Sequence, residues 1–206
     1  MGSKGSSRQH AESSRSEHTV QLFDGPESLG DAVARFFVNG LMAGDKLLLA
    51  AKPLHVQAIA DGLGSRGQDL TALIDSRRLV VLDAATMLRL IMKRGVPNLG
   101  ALWSAVENTF DQLAPDGERV SVYGELVEIL AEEGNFRGAE QVEAFWNEFG
   151  TTHSLSLFCG YSSAHFVMPG ALSALDNICR LHDCVLQNRQ DLLANWLLSK
   201  RTSPSA

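Results

Sequence analysis

The run Lys46-Leu47-Leu48-Leu49-Ala50-Ala51-Lys52-Pro53 follows a helix-stop signal, Gly44, and ends on a proline suited to the first turn of the next helix. Its apolar core, Leu47 to Ala50, does not alternate with polar residues. A strand with one face in water alternates; one buried on both faces does not, and such strands belong to parallel sheets covered by helices. Working outward, Leu79-Val80-Val81-Leu82, closed by Asp83, reads the same way, and so do the short apolar runs at 120–123 and 155–159. Thr19-Val20-Gln21-Leu22-Phe23 reads as the first strand and Cys184-Val185-Leu186 as a short last one.

Helical periodicity fills the gaps. Val33, Phe36, Phe37 and Leu41 lie on one face; a helix from Pro53 runs to about Leu63; another runs from 84 to about 93, before Gly95 and Pro97. Leu99, Leu102, Trp103, Val106, Phe110 and Leu113 form a long stripe. Leu126, Ile129 and Leu130 mark a short helix stopped by Gly134-Asn135, and Val142, Phe145, Trp146 and Phe149 stripe the next. Residues 171–181 and 191–200 read as the last two helices. Alternating strands and helices predict an α/β fold with a mostly parallel central sheet and helices on both faces. In such folds ligands bind beyond the carboxyl ends of the strands. That places the expected crevice at Asp24-Gly25, Lys52, Asp83, Gly124-Glu125 and Gly160-Tyr161.

The chain has 206 residues, 45% of them hydrophobic, enough to bury a core without disulfide or metal. Residues 1–17 read as a Ser-rich disordered leader or tag, 18–187 as the domain, and 188–206 as a terminal helix and tail. With 18 basic and 24 acidic residues the formal charge is −6, which argues against nonspecific binding to nucleic acid or an anionic membrane surface. Three cysteines do not make a disulfide framework, so a reducing compartment is expected. No stretch approaches the ~18 apolar residues of a membrane span, and no signal-peptide core is present. A cytoplasmic protein is therefore expected.

The stretch Gly25-Pro26-Glu27-Ser28-Leu29-Gly30-Asp31-Ala32 has the glycine spacing of a phosphate-binding loop. That loop needs a Lys for the phosphates and a hydroxyl for Mg²⁺ in its next two places, which here hold Asp31 and Ala32. Glu27 adds a further negative charge; a carboxylate there also suits a helix N-terminus. The loop is degenerate, and no nucleotide cofactor is expected.

The block Val122-Tyr123-Gly124-Glu125-Leu126-Val127-Glu128-Ile129-Leu130-Ala131-Glu132-Glu133-Gly134-Asn135 is followed by Val142-Glu143-Ala144-Phe145-Trp146-Asn147-Glu148 and Leu155-Ser156-Leu157-Phe158-Cys159-Gly160-Tyr161. Together with His18 to Phe23, Gly40 to Ala51 and Ile178 to Leu186, this resembles the MEDS domain, the methanogen/methylotroph sensory domain, over about residues 18–187. The resemblance implies a RecA-like domain, related to clock-type ATPases, that has lost the nucleotide-hydrolysing loop. It implies sensing of small molecules, including hydrocarbon derivatives, beside a DNA-binding or histidine-kinase output. Asp24 stands where the family often has a tyrosine, and Ser162 where it often has a proline. The residues after Gln187 are too few for a kinase or an independent globular domain, so the output is expected from a protein partner, from self-assembly or from a part of the protein beyond this sequence.

The resulting expectation is a non-enzymatic sensory domain. Its small, largely apolar ligand meets Asp24, Gly25, Glu27, Lys52, Asp83, Tyr123, Glu125 and Tyr161. Glu125 reads equally as a polar anchor of the crevice or a helix-start carboxylate. Gly124 permits close backbone approach, and His18 reads as structural. Cys179-x-x-His182-x-Cys184, with Cys159 as a further donor, lacks the four paired ligands of a structural zinc site, so no metal is assigned. No catalytic triad is assigned. Leu192, Leu193, Trp196 and Leu197 read as an apolar face for self-association, output coupling or cover of a sheet edge. The alternatives are a protein-interaction module without a small ligand and a residual nucleotide-binding ATPase.

Overall fold

The computed structural model describes residues 17–168 and 170–201. The leader expected at the N-terminus and the final tail lie outside the described residues, except that Glu17 already belongs to the first strand. The chain runs β1(Glu17–Phe23), α1(Pro26–Ala43), β2(Lys46–Ala51), α2(Pro53–Gly64), α3(Leu70–Asp75), β3(Leu79–Asp83), α4(Ala84–Ile91), β4(Met92–Lys93), β5(Val96–Pro97), α5(Leu99–Leu113) and β6(Val120–Gly124). It continues through α6(Leu126–Glu132), α7(Phe136–Phe149), β7(Leu155–Ser162), a 3₁₀ turn at Ser163–Phe166, α8(Ala171–Arg180), β8(Cys184–Leu186) and α9(Leu192–Arg201).

Six strands form one sheet in the order β3-β2-β6-β7-β1-β8, and every pair is parallel. The α/β class is therefore as the apolar strands imply. One face of the sheet offers Val20, Leu22, Leu48, Ala50, Val122 and Leu157 to a core shared with α4 to α9. The other offers Leu47, Leu49, Tyr123 and Phe158 to a smaller core under α1 to α3. Each large side chain so buried contributes about 1.5–3 kcal/mol before ordering costs.

Three features depart from the expected elements. The helix after β3 stops at Ile91, and the chain turns through the antiparallel pair β4–β5, with Arg94 and Gly95 at positive φ. Helix α3, capped by Asp69 on the Ala72 N–H at 2.7 Å, is too short for its periodicity to show. Strand β7 runs on through Ser162, so Gly160-Tyr161 lies inside the sheet and not past its end.

The degenerate phosphate loop is not a loop. Gly25 is the N-cap of α1, Pro26 opens the helix, and Gly30 lies in its interior. A Cβ on Gly30 would come 2.5 Å from the carbonyl oxygen of Ala58, and one on Gly62 would come 2.8 Å from that of Gly30. Small residues at 30, 34, 58 and 62 therefore let α1 and α2 cross at close range. Asp31, in the place of the phosphate-binding Lys, pairs with Arg35 at 3.1 Å and with Arg66 at 2.5 Å.

Helix α9 folds back onto its own domain. Ala194, Leu197 and Leu198 are buried, whereas Leu192 and Trp196 are 74% and 53% exposed. The apolar face thus differs from the expected one. The backbone N–H groups of Leu193 and Ala194 donate to Asp24 at 2.9 and 3.0 Å, and the Asp24 N–H donates in turn to Asp191 at 3.3 Å.

Candidate functional site

At the carboxyl ends of β2 and β6 a buried network forms around Glu125. One carboxylate oxygen accepts from the Tyr123 hydroxyl at 2.9 Å and meets His55 Nδ1 at 2.7 Å; the other accepts the Lys52 backbone N–H at 2.7 Å. Glu125 stands at the N-cap of α6 but makes no capping bond with its side chain. It reaches sideways and ties the end of β2 to the end of β6. Glu128, one turn on, accepts the Ser162 N–H at 2.9 Å and contacts His165 at 3.0 Å, while Lys52 Nζ lies 3.1 Å from Glu132. Burial, followed by the nearby Glu125 and Glu128 charges, pushes the Tyr123 phenol well above its ordinary range.

Of the residues expected to line one crevice, the fold brings Lys52, Tyr123 and Glu125 together. The Asp24 side chain is occupied with the N-terminus of α9 and with Ser163 Oγ at 2.6 Å. Glu27 is exposed in the first turn of α1, and Gly25 is its N-cap. Asp83 caps α4 through the Thr86 N–H at 2.6 Å; the Thr86 hydrogen bonds hold its carboxyl below the ordinary value. Tyr161 is buried on the other side of β7, donating to Glu143 at 2.6 Å. A Cβ on Gly124 would meet nothing within 4 Å among the described residues, so no neighbouring protein segment requires a glycine there.

A cavity of about 410 Å³ opens between α1 and the strands β1, β7 and β8. Its floor includes Thr19 and Gln21 of β1, Phe158 of β7 and Cys184 of β8; Phe36 and Asn39 of α1 form a wall. The Phe36 and Phe158 rings stack at 5.5 Å. Gln21 is only 3% exposed, and its Nε2 has no hydrogen-bond partner among the described residues. None of the crevice residues read from the sequence lines this cavity. Gln21 carried a signal, as a long polar side chain between Val20 and Leu22.

On the opposite face of the same strands lies a buried group of His18, Glu143, Cys159 and His182. Glu143 sits in the apolar stripe of α7 between Val142 and Trp146, a carboxylate in a core position and the signal that sequence reasoning passed over. Burial opposes its ionisation, but the nearby histidines and the hydrogen bonds from His18 and Tyr161 hold it down to about 2. Burial also opposes charge on His18, yet the hydrogen bond and charge of Glu143, with Asn147 and Asp183 adding, together outweigh it and raise the His18 pKa; burial lowers that of His182. His18 Nε2 is the nearer imidazole to the Glu143 carboxylate, at 3.1 Å, and His182 Nε2 the farther, at 3.5 Å. Cys179 and Cys184, read beside His182, do not belong to the group, and Cys184 faces the cavity instead.

The all-parallel six-stranded sheet with helices on both faces fits a RecA-like α/β domain. Residues 17–183 match the family model described as MEDS, MEthanogen/methylotroph, DcmR Sensory domain, and the chain belongs to that family. No relative among the curated proteins matches. Among solved structures, the KaiC-like protein PH0186 from the hyperthermophilic archaeon Pyrococcus horikoshii OT3 is similar, at 11% identity and a TM-score of 0.52, over 84% of this chain and 74% of that one. At that identity the likeness concerns the fold alone.

Proposed function

We propose that this sensory domain is non-catalytic and takes a small, largely apolar molecule with one hydrogen-bond acceptor into the cavity over β1, β7 and β8. The observation that carries this reading is Gln21, a buried side chain of β1 that lines the cavity and whose amide nitrogen has no hydrogen-bond partner among the described residues. A buried donor without an acceptor costs about 1–3 kcal/mol, which a bound carbonyl, hydroxyl or ether oxygen would recover. The Phe36–Phe158 pair supplies the apolar wall. An acidic residue tied to two arginines, in place of a phosphate-binding lysine, supports a role without nucleotide chemistry.

The signal passes to a protein partner or a second copy through the exposed Leu192 and Trp196 of α9, whose N-terminus is held by Asp24, one residue past β1. Thermal-shift and saturation-transfer NMR measurements with short-chain alcohols, ketones and ethers test the reading. Binding is expected in the native chain and loss of binding in Gln21→Leu. That variant should fold at least as stably, because it removes an unsatisfied polar group. Binders indifferent to Gln21→Leu would sink the proposal.

A second reading keeps the ligand at the carboxyl ends, favoured by the convergence of Lys52, Tyr123 and Glu125. Loss of binding in Glu125→Gln with retention in Gln21→Leu would select it.

A further inference from the structure

We propose that His18, Glu143, Cys159 and His182 form a four-ligand site for a divalent transition-metal ion of the zinc class. Their donor atoms all lie within 4.8 Å of one another. The individual spacings are 3.1 Å from His18 Nε2 to Glu143 Oε2, 3.4 Å from His18 Nε2 to Cys159 Sγ, 3.3 Å from Cys159 Sγ to Glu143 Oε2 and 3.5 Å from His182 Nε2 to Glu143 Oε1. Ligands at zinc's ordinary bond lengths occupy tetrahedral corners about 3.3–3.8 Å apart. The group is close to that shape before any ion enters.

The orientation of the two imidazoles is the stronger argument. His182 Nδ1 lies 2.7 Å from the Ile178 carbonyl oxygen, which can only accept, so the proton is on Nδ1 and Nε2 carries the lone pair. That Nε2 is buried with no hydrogen-bond partner among the described residues and, in the neutral ring, faces the Glu143 carboxylate as an acceptor facing an acceptor. A cation between them resolves the conflict. His18 is held the same way. Its Nδ1 meets Asn147 Oδ1 at 2.9 Å, and Asn147 is locked in that sense by its own Nδ2 donating to the Leu181 carbonyl at 2.9 Å. Both rings therefore engage a carbonyl through Nδ1 and turn Nε2 inward, the arrangement that orients metal-bound histidines. Tyr161 donates at 2.6 Å to Glu143 Oε1, the oxygen that His182 faces, and leaves Oε2 to His18 and Cys159. Two imidazoles, a thiolate and a carboxylate suit a borderline-soft ion, and four protein ligands make the site closed.

The test is a Co²⁺ titration of the full chain after chelation, read by absorption. The expected result is one equivalent bound, a near-ultraviolet thiolate-to-cobalt band, the strong visible absorption of four-coordinate cobalt, and displacement by Zn²⁺. Cys159→Ser should abolish the thiolate band, and His182→Gln, which keeps a donor for the Ile178 carbonyl, should weaken binding at least tenfold. Asn147→Ala, which touches no ion, should weaken it about 10–100-fold. Absence of a thiolate band in folded native protein, or binding unchanged in Cys159→Ser and His182→Gln, would overturn the proposal.

Discussion

Gly30 and Gly25 carry the same letter in a phosphate-loop reading and opposite physics in the fold. An added methyl at Gly30 runs into the Ala58 carbonyl oxygen at 2.5 Å, so α1 and α2 must separate; Gly30→Ala is expected to cost about 1–3 kcal/mol in urea unfolding. Gly25 has extended backbone with open space around it, and Gly25→Ala should cost less than about 1 kcal/mol. Equal losses at both would contradict the close helix crossing. Glu125 belongs to the same scale. Glu125→Ala leaves the Lys52 N–H, His55 and the Tyr123 hydroxyl without their shared acceptor, and a loss of about 3 kcal/mol or more is expected in the same measurement. A near-neutral result would free the residue for the carboxyl-end ligand reading.

At the scale of elements, α9 is the informative one. Its periodicity was visible in the sequence, but Leu192 and Trp196 stand in solvent while Leu197 and Leu198 close the core. Leu197→Ala should cost about 2–5 kcal/mol, and Trp196→Ala about 0.5 kcal/mol or less, both read as shifts in denaturation midpoint. Reversed magnitudes would mean that α9 docks by its other face. The small pieces were not legible for a physical reason. Helix α3, with six residues, has under two turns, and β4 and β5 have two residues each, too few for a pattern to repeat; their ends are set by Asp69 and by the left-handed Arg94-Gly95 turn.

At the scale of the molecule, a RecA-like sheet is joined to a first helix that begins at Pro26 and leaves no loop to wrap phosphates. Calorimetric titration with Mg²⁺-ATP is therefore expected to give no saturable, Mg²⁺-dependent heat. Micromolar affinity lost on removal of Mg²⁺ would refute this. Strand β1 serves both faces of the sheet at once. It presents His18 to the buried histidine–carboxylate–thiol group, and Thr19 and Gln21 to the cavity behind it.

The sequence alone determined the strands, their burial on both faces and the parallel class, because unbroken apolar runs such as Leu47 to Ala50 have no other comfortable place. It also determined that the first loop lacks phosphate chemistry, since that depends only on which side chains occupy 31 and 32. Only the tertiary structure decided which polar residues meet. His18 and Cys159, 141 residues apart, touch because β1 pairs with β7, a consequence of strand order that no local pattern encodes. The same order set the cavity between α1 and the strands β1, β7 and β8, and moved Tyr161 from an expected strand end into the core. Side-chain periodicity is local; which strand lies beside which follows from burying all the helices at once.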